Sequence, residues 1–327
     1  MQKILVVQTA FIGDVVLATA LIEKLHAAYP QAAIDMLVRK GNEQLFSGHP
    51  FLRETLVWNK KQAKYRNLFA MIAKIRKRKY DLVVNVQRYA ATGLITAFSG
   101  AARTVGFNKN PFSFLFTDVI PHAFDEGMHE TERNHRLIAA FTDAQAAKPR
   151  LYPAAADENA VRGYKNMPYI CIGPASVWFT KQFPAEQWIT FINSLPSDLQ
   201  VFLLGAPGDL SLCETIAASA GRKNITVLAG KLNFLESAAL MRDARMNYVN
   251  DSAPMHFASA VNAPVTAVYC STVPAFGYGP LSDNRHIVET PYALDCRPCG
   301  LHGYKACPLG HFNCARQIGN NQLLATL

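Results

Sequence analysis

Three short segments combine reactive side chains with the residues that end a strand and open a helix. The first is Gln8-Thr9-Ala10-Phe11-Ile12-Gly13-Asp14, which follows the apolar run Ile4 to Val7. Gly13 suits a turn there, and Asp14 suits the N-cap of the helix that follows, where a carboxylate satisfies backbone N–H groups and the helix dipole. The same carboxylate, facing a ligand cleft, could take a proton from a sugar hydroxyl. The second is Gly173-Pro174-Ala175-Ser176-Val177-Trp178-Phe179-Thr180-Lys181-Gln182-Phe183-Pro184. Two hydroxyls, Ser176 and Thr180, and the compact cation of Lys181 stand just before a helix, a combination that suits a diphosphate. Trp178 and Phe183 should keep that loop packed. The third is Asn250-Asp251-Ser252-Ala253-Pro254-Met255-His256. Ser252 is placed to cap, Pro254 falls in the first turn, and His256 lies one turn beyond Ser252 on the same face. Such a helix start aims N–H groups and a positive dipole end at an anion.

Elements able to position these segments can be read from the apolar pattern. Strands are expected at 3–8, 33–38, 52–57, 80–86 and 104–106, with helices at 15–28, 92–99 and 129–144. The pattern loses its period over 146–159, which gathers Pro149 and Pro153 and reads as a linker. It then restarts, with strands at 169–172, 200–204, 226–228, 246–250 and 265–269. Helices are expected at 185–195, 211–219, 234–244 and 254–261. Alternation of this kind implies parallel α/β sheets with right-handed crossovers. The chain therefore divides into two halves, 1–152 and 153–327, each of a size usual for one domain. Two halves of this kind leave a cleft at the carboxyl ends of their sheets, where ligands bind in open α/β folds. No G-x-G-x-x-G follows a strand, which disfavours a dinucleotide hydride enzyme.

Composition narrows the class. Of 327 residues, 50% are hydrophobic, enough for sizeable cores. No apolar run approaches the ~18–20 residues that span a bilayer, and Ile4 to Val7 is too short for a signal-peptide core. A cytoplasmic protein with reduced cysteines is expected. The net charge of +9 is concentrated in residues 51–100. Residues 60–79 hold nine basic side chains and no acidic one, and Tyr65, Leu68, Phe69, Ile72 and Ile75 recur there at helical spacing. The expectation is an amphipathic helix with those five residues packed and a basic far end. It is either a solvated cationic face or a landing site for a polyanion such as an anionic lipid surface or an acidic glycolipid. No nucleic-acid-binding module is evident, so nucleic acid is not an expected partner.

Together and in this order, the segments resemble those of the ADP-heptose:lipopolysaccharide heptosyltransferases, glycosyltransferase family 9. The likeness runs from Ile4–Val7 and Gly13-Asp14-Val15-Val16 through Thr180-Lys181-Gln182-Phe183-Pro184 and Asn250 to Ala258. It extends to Phe276-Gly277-Tyr278-Gly279-Pro280-Leu281 and the run Cys296 to Cys314, and so covers nearly the whole chain. The resemblance implies a GT-B fold of two Rossmann-like domains, with the acceptor held by 1–152 and the nucleotide-sugar by 153–327. It implies inverting transfer without metal or other cofactor, from an ADP-sugar to an anionic glycolipid at the inner face of the cytoplasmic membrane. Carried over by motif, Asp14 matches the general base, with Thr9 and Gly13 on the acceptor side. Lys181 matches the lysine that neutralises the donor diphosphate, beside Ser176 and Thr180. Asp251, Ser252 and His256 match the donor loop, and Asp209 a contact to the ribose. Gln8 departs from the family's usual Arg or Lys, Ala10 from a nearby hydroxyl residue, and Ala253 from Gly. Another nucleotide-sugar, or a non-catalytic nucleotide- or polyanion-binding module on the same fold, would use most of the same residues; only a cleft-facing base at Asp14 sets the enzyme apart.

The tail spaces Cys296, Cys299, Cys307 and Cys314 as C-x2-C-x7-C-x6-C, with His302 and His311 between them. Reduced cysteines in a packed loop, a zinc site and a disulfide all remain open from spacing alone.

Overall fold

The computed structural model describes residues 1–60, 62–123 and 127–327. Lys61 and the side chain of Lys64, both counted in the basic stretch, lie outside the described residues. The chain divides into two compact units, Met1–Tyr152 and Pro153–Leu327. Each unit holds one six-stranded, all-parallel sheet.

The first unit contains β1 (Lys3–Val7), α1 (Ile12–Ala28), β2 (Ala33–Arg39), β3 (Leu52–Trp58), α2 (Lys64–Arg78), β4 (Leu82–Asn85), α3 (Ala90–Ala97), β5 (Arg103–Phe107), β6 (Asp118–Ile120) and α4 (Glu130–His135). The sheet order is β3-β2-β1-β4-β5-β6. β1 lies centrally, with Val6 opposite Met36 on one side and Val84 on the other. Both faces of the sheet are covered, which is why its inner strands read as near-continuous Ile, Leu and Val. Val15 to Ile22 of α1 are all buried. α2 lays Leu68, Met71, Ile72 and Ile75 against a core that includes Leu56, Trp58 and Val83. Each such side chain contributes about 2 kcal/mol by leaving water.

The second unit repeats the arrangement with α5 (Ala155–Val161), β7 (Tyr169–Gly173), α6 (Ala185–Asn193), β8 (Gln200–Leu203), α7 (Leu210–Ser219), β9 (Ile225–Val227), α8 (Phe234–Arg242), β10 (Met246–Asn250), α9 (Ala253–Ala260), β11 (Val265–Tyr269), β12 (Arg285–Glu289), α10 (Asn313–Arg316) and α11 (Asn320–Leu324). Its order, β12-β11-β10-β7-β8-β9, matches that of the first unit with corresponding strands. Each sheet thus reverses its winding once, between β1 and β4 and between β7 and β10. Ligands of doubly wound sheets bind beyond the carboxyl ends of strands at that switch.

Several expectations are corrected. Ala155–Val161 of the supposed linker is helical. The helix expected over 129–144 is α4 followed by a separate 3-10 turn at Ala139–Phe141. Tyr65 and Phe69 stay out of the core: they are 69% and 65% exposed, and Met71 takes the core position instead. The tail packs, which is one of the readings its cysteine spacing left open. Phe312, Cys314, Ala315, Ile318 and Leu323 are buried in the same core as Trp188 and Phe191.

Candidate functional site

In the first unit, the carboxyl ends of the strands gather polar and cationic groups. The loop after β1 is held from several directions. Thr9 Oγ1 donates to Gln87 Oε1 (3.0 Å), and Gln87 Nε2 donates to Gln8 Oε1 (2.6 Å), so the ends of β1 and β4 are tied across the switch. Asn42 Nδ2 donates to the Ala10 carbonyl (3.2 Å) and Lys60 Nζ to the Thr9 carbonyl (2.9 Å). Gln8, Thr9 and Gln87 are buried. This is a fixed framework rather than a flexible turn.

Asp14 sits differently from the sequence expectation. α1 begins at Ile12, so Gly13 is helical and Asp14 lies at the third helical position; Phe11 is the N-cap and provides no side-chain cap. Opposite, Glu130 opens α4 and pairs with Arg133, which is almost wholly buried. Arg133 is further held by the carbonyls of Ala123 (3.1 Å) and Met128 (3.2 Å). Burial raises the Glu130 pKa above the usual carboxylate range. The nearby Asp14 charge acts in the same direction, while Arg133 and Arg88 oppose it. Asp14 therefore belongs to a cluster of two carboxylates and two guanidiniums.

Beside this cluster, Arg88, Tyr89, Lys109 and His122 line a pocket of about 360 Å³. These residues follow β4, β5 and β6. Burial and the neighbouring arginines push His122 down to about 4, so it is neutral at pH 7. Lys60, after β3, lies 4.9 Å from the centre of the Trp58 ring and is pushed down to about 8, chiefly by burial and secondarily by Arg39. Exposed Phe11, with the Arg39 guanidinium 5.1 Å from its ring centre, also borders the β1 end. Cationic side chains and aromatic rings thus lie side by side along this edge.

In the second unit, the loops after β7 and β10 meet. Lys181 Nζ lies 2.6 Å from Asp251 Oδ2, and Thr272 Oγ1 donates to the same oxygen (2.7 Å). Asn250 joins the loops: its Oδ1 accepts from the Phe183 N–H (2.9 Å) and its Nδ2 donates to the Pro174 carbonyl (2.7 Å). Ser252 is the N-cap residue of α9 by position, but its hydroxyl turns back to the Asn250 carbonyl (3.3 Å) and does not cap. His256 is buried one turn on. Ser176 lies on the same β7 loop, half-buried, and its carbonyl accepts from Gln182 Nε2 (2.7 Å).

Thr180 does not offer its hydroxyl outward. It is buried and bonded to the Tyr304 backbone N–H (2.7 Å) and the Ser271 hydroxyl (3.0 Å). Asp209 likewise serves its own loop, accepting from the Ala206 N–H (2.8 Å) where a 3-10 turn leads into α7. A Cβ at Gly205 would stand only 2.8 Å from that of Asp209, so glycine is required for this close approach.

The cysteine-rich tail braces the second-unit loops. Cys299 N–H donates to the Ser271 carbonyl (2.8 Å), and Arg297 donates to the carbonyls of Cys270 (2.8 Å) and Thr272 (2.8 Å). Burial and the neighbouring thiols push Cys314 up to about 11. Among the described residues no group of three His, Cys, Asp or Glu side chains is arranged to hold a metal ion. A larger pocket, about 490 Å³, is lined by Lys165, Asp243, Arg245 and the start of β7, the amino end of the sheet, away from these loops.

Sequence reasoning did not single out Glu130 and Arg133, which were read only as part of a helix. It did not anticipate the bracing role of the tail either. Lys60 was noted only as one of the nine basic residues of 60–79, and Arg88 and Lys109 had no motif to mark them; only the recurrence of all three just past strand ends could have joined them.

Two doubly wound, six-stranded parallel sheets of matching order are the architecture of the GT-B class of glycosyltransferases. The chain belongs to glycosyltransferase family 9, the heptosyltransferases, whose family model matches residues 68–303. It is 27% identical to lipopolysaccharide heptosyltransferase 3 of Escherichia coli over 84% of this chain and 85% of that one. The solved structure of E. coli ADP-heptose lipopolysaccharide heptosyltransferase II superposes with a TM-score of 0.83, at 21% identity, covering 99% of this chain and 97% of that one. An E. coli heptosyltransferase with ADP-2-deoxy-2-fluoro heptose gives 0.75, at 19% identity, covering 99% and 98%. No helix among the described residues is long and apolar enough to cross a membrane.

Proposed function

We propose that this glycosyltransferase moves a heptose from ADP-heptose to an anionic lipopolysaccharide inner-core acceptor, with inversion and without a metal. The Lys181–Asp251 pair, at the meeting of the two switch-point loops of the second unit, is the observation that carries the reading. Lys181, the Ser176 hydroxyl and the start of α9 at Ser252 take the growing charge on the departing ADP, so that fixed cationic and N–H groups do the work of a divalent ion. His256 and Asp251 shape that loop, and Asp209 turns its second carboxylate oxygen to the ribose. Thr180 supports the diphosphate site indirectly by anchoring Lys181.

On the acceptor side, Asp14 removes the proton of the attacking hydroxyl as its oxygen bonds to the anomeric carbon and the C–O bond to ADP breaks. The proton goes to Asp14 and the bonding pair to the diphosphate. Thr9 and Gly13 belong to the framework that holds it. Lys60, Arg88 and Lys109 receive the negative groups of the acceptor. In this reading, 1–152 is the acceptor domain and 153–327 the donor domain. The enzyme works in the cytoplasm, held peripherally through the basic residues 60–79 at the inner face of the cytoplasmic membrane, where its lipid-borne acceptor lies.

The test is direct. The purified protein is titrated with ADP, UDP and GDP with and without EDTA, then incubated with ADP-heptose and delipidated inner-core acceptor. Selective ADP binding that survives EDTA, with one heptose added by mass spectrometry, is expected. Preference for UDP or GDP would overturn the donor, and loss of transfer in EDTA would overturn metal independence.

A further inference from the structure

The outward face of α2 has no role in the site described above. It is composed unlike a merely solvated face. Tyr65 and Phe69, four residues apart, form an exposed aromatic ridge, continued by exposed Ala73. Arg66, Arg76 and Lys77 are exposed beside it. Two further basic groups of the helix are occupied elsewhere: Arg78 pairs with Asp35 and Glu54, and exposed Lys74 with Glu54. The residual charge of the face is therefore wholly positive, and no acidic residue occurs anywhere in 60–79. Solubility would be served by the lysines and arginines alone. It is not served by two large aromatics left exposed beyond the rim of a buried stripe, Leu68, Met71, Ile72 and Ile75, that already supplies the core.

We infer that the Tyr65–Phe69 face of α2 is a docking surface for an anionic lipid bilayer. The helix lies flat, the two rings enter the headgroup region, and Arg66, Arg76 and Lys77 contact lipid phosphates. Amphipathic aromatic rings settle at the membrane–water boundary, and basic side chains beside them add attraction to anionic lipid. Charge complementarity selects this occupant over an ordinary protein surface. The inference deepens the proposed function, on which it rests for its reason to meet a membrane, and it assigns the contact to the outward ridge rather than to the basic stretch as a whole.

The test is co-sedimentation of the full chain with vesicles of equimolar phosphatidylcholine and phosphatidylglycerol, against vesicles of phosphatidylcholine alone. Binding to the anionic vesicles only is expected. The pair Tyr65→Ser/Phe69→Ser should weaken it roughly tenfold or more. The pair Arg66→Gln/Lys77→Gln should weaken it roughly ten- to thirty-fold, with a steeper loss in salt for wild type than for this variant. All four positions are exposed, so circular dichroism should show both variants folded. Heptose transfer to the delipidated acceptor should stay at the wild-type rate, which separates this inference from the proposed function: loss of vesicle binding with transfer intact concerns α2 alone. Absence of wild-type binding to anionic vesicles, or equal binding by the Tyr65→Ser/Phe69→Ser variant, would overturn the inference. Concentration-dependent dimerisation abolished by the aromatic variant, without lipid binding, would overturn it in favour of a self-interface.

Discussion

The Lys181 ammonium and the Asp251 carboxylate, 70 residues apart in sequence, stand 2.6 Å apart where the loops after β7 and β10 meet. Thr272 donates to the same carboxylate oxygen, and Thr272 is in turn held through its carbonyl by Arg297 of the tail. Lys181 is therefore aimed by a relay that runs from the last segment of the chain to the first loop of the second unit.

Both partners of this pair are largely shielded from water, so removing one leaves the other poorly compensated. Lys181→Ala should lower kcat/KM by roughly 10²–10³-fold, as expected for loss of a transition-state charge contact, and should also lower the denaturant midpoint. Adding Asp251→Asn to Lys181→Ala should restore part of that stability without restoring activity. A double-mutant cycle in urea, read beside steady-state kinetics, checks both halves. Additive losses would mean that the pair does not act as a unit.

Asp14 and Glu130 invite different substitutions. Asp14→Asn keeps the shape of the first turn of α1 and removes the carboxylate proposed as the base. Turnover should fall roughly 10²–10⁴-fold while ADP-sugar affinity, measured by calorimetry, stays put. Glu130→Gln instead removes one charged acceptor from a deeply buried arginine that keeps its carbonyl contacts. It should cost about 1.5–3 kcal/mol of unfolding free energy in chemical denaturation. Full turnover in Asp14→Asn would remove Asp14 from the mechanism.

The inner strands and the three loop segments were legible because burial on both faces imposes unbroken apolar runs, and strand-to-helix turns leave Gly, Pro, Ser and Asp signatures. β6 and β12 were not, because edge strands such as Asp118–Ile120 and Arg285–Glu289 are short, charged and half-exposed, as unpaired edges are. The start of α1 was misplaced because Phe11 opens it without a side-chain cap. On α2, Ile75, Leu68, Ile72, Tyr65 and Phe69 do fall on one arc at about 100° per residue, broken only by Arg76 near its exposed end. The core, however, is centred between Ile75 and Leu68, which admits Met71 and leaves Tyr65 and Phe69 beyond its rim. Period alone reports that a stripe exists, not where the sheet touches it. Glu130 and Arg133 were invisible because their meaning comes from tertiary contact with α1, not from spacing.

The first unit also stakes stability on a buried charge. Asp35 of β2 is fully buried and accepts hydrogen bonds from Arg53, from Arg78 (3.1 Å) and from the Tyr80 hydroxyl. Tyr80→Phe removes one of these donors with little change of shape. Since hydrogen bonds to charged groups contribute about 1.5–3 kcal/mol, a loss of that size is expected in urea unfolding, with heptose transfer at saturating substrate unchanged. A neutral effect on stability would show that Arg53 and Arg78 alone satisfy the carboxylate.

Lys60 gives acceptor binding a pH dependence of calculable sign. Burial, aided by Arg39, places its titration at about 8 rather than near the usual lysine value. Below about pH 8 the ammonium is charged and attracts an anionic acceptor; above it the group is increasingly neutral, and the attraction fades. The acceptor KM should therefore rise by roughly three- to ten-fold as pH passes upward through about 8, the loss of one charge-assisted contact, while the donor KM stays flat over the same interval. Lys60→Arg keeps its charge throughout and should flatten the acceptor profile. Lys60→Met should hold the acceptor KM at its high-pH value at every pH. Measuring acceptor KM from pH 6.5 to 9.5 for the three proteins, an interval chosen to span the titration by about one unit or more on each side, decides the matter. A profile in Lys60→Arg that still rises through about 8 would assign the titration to another group.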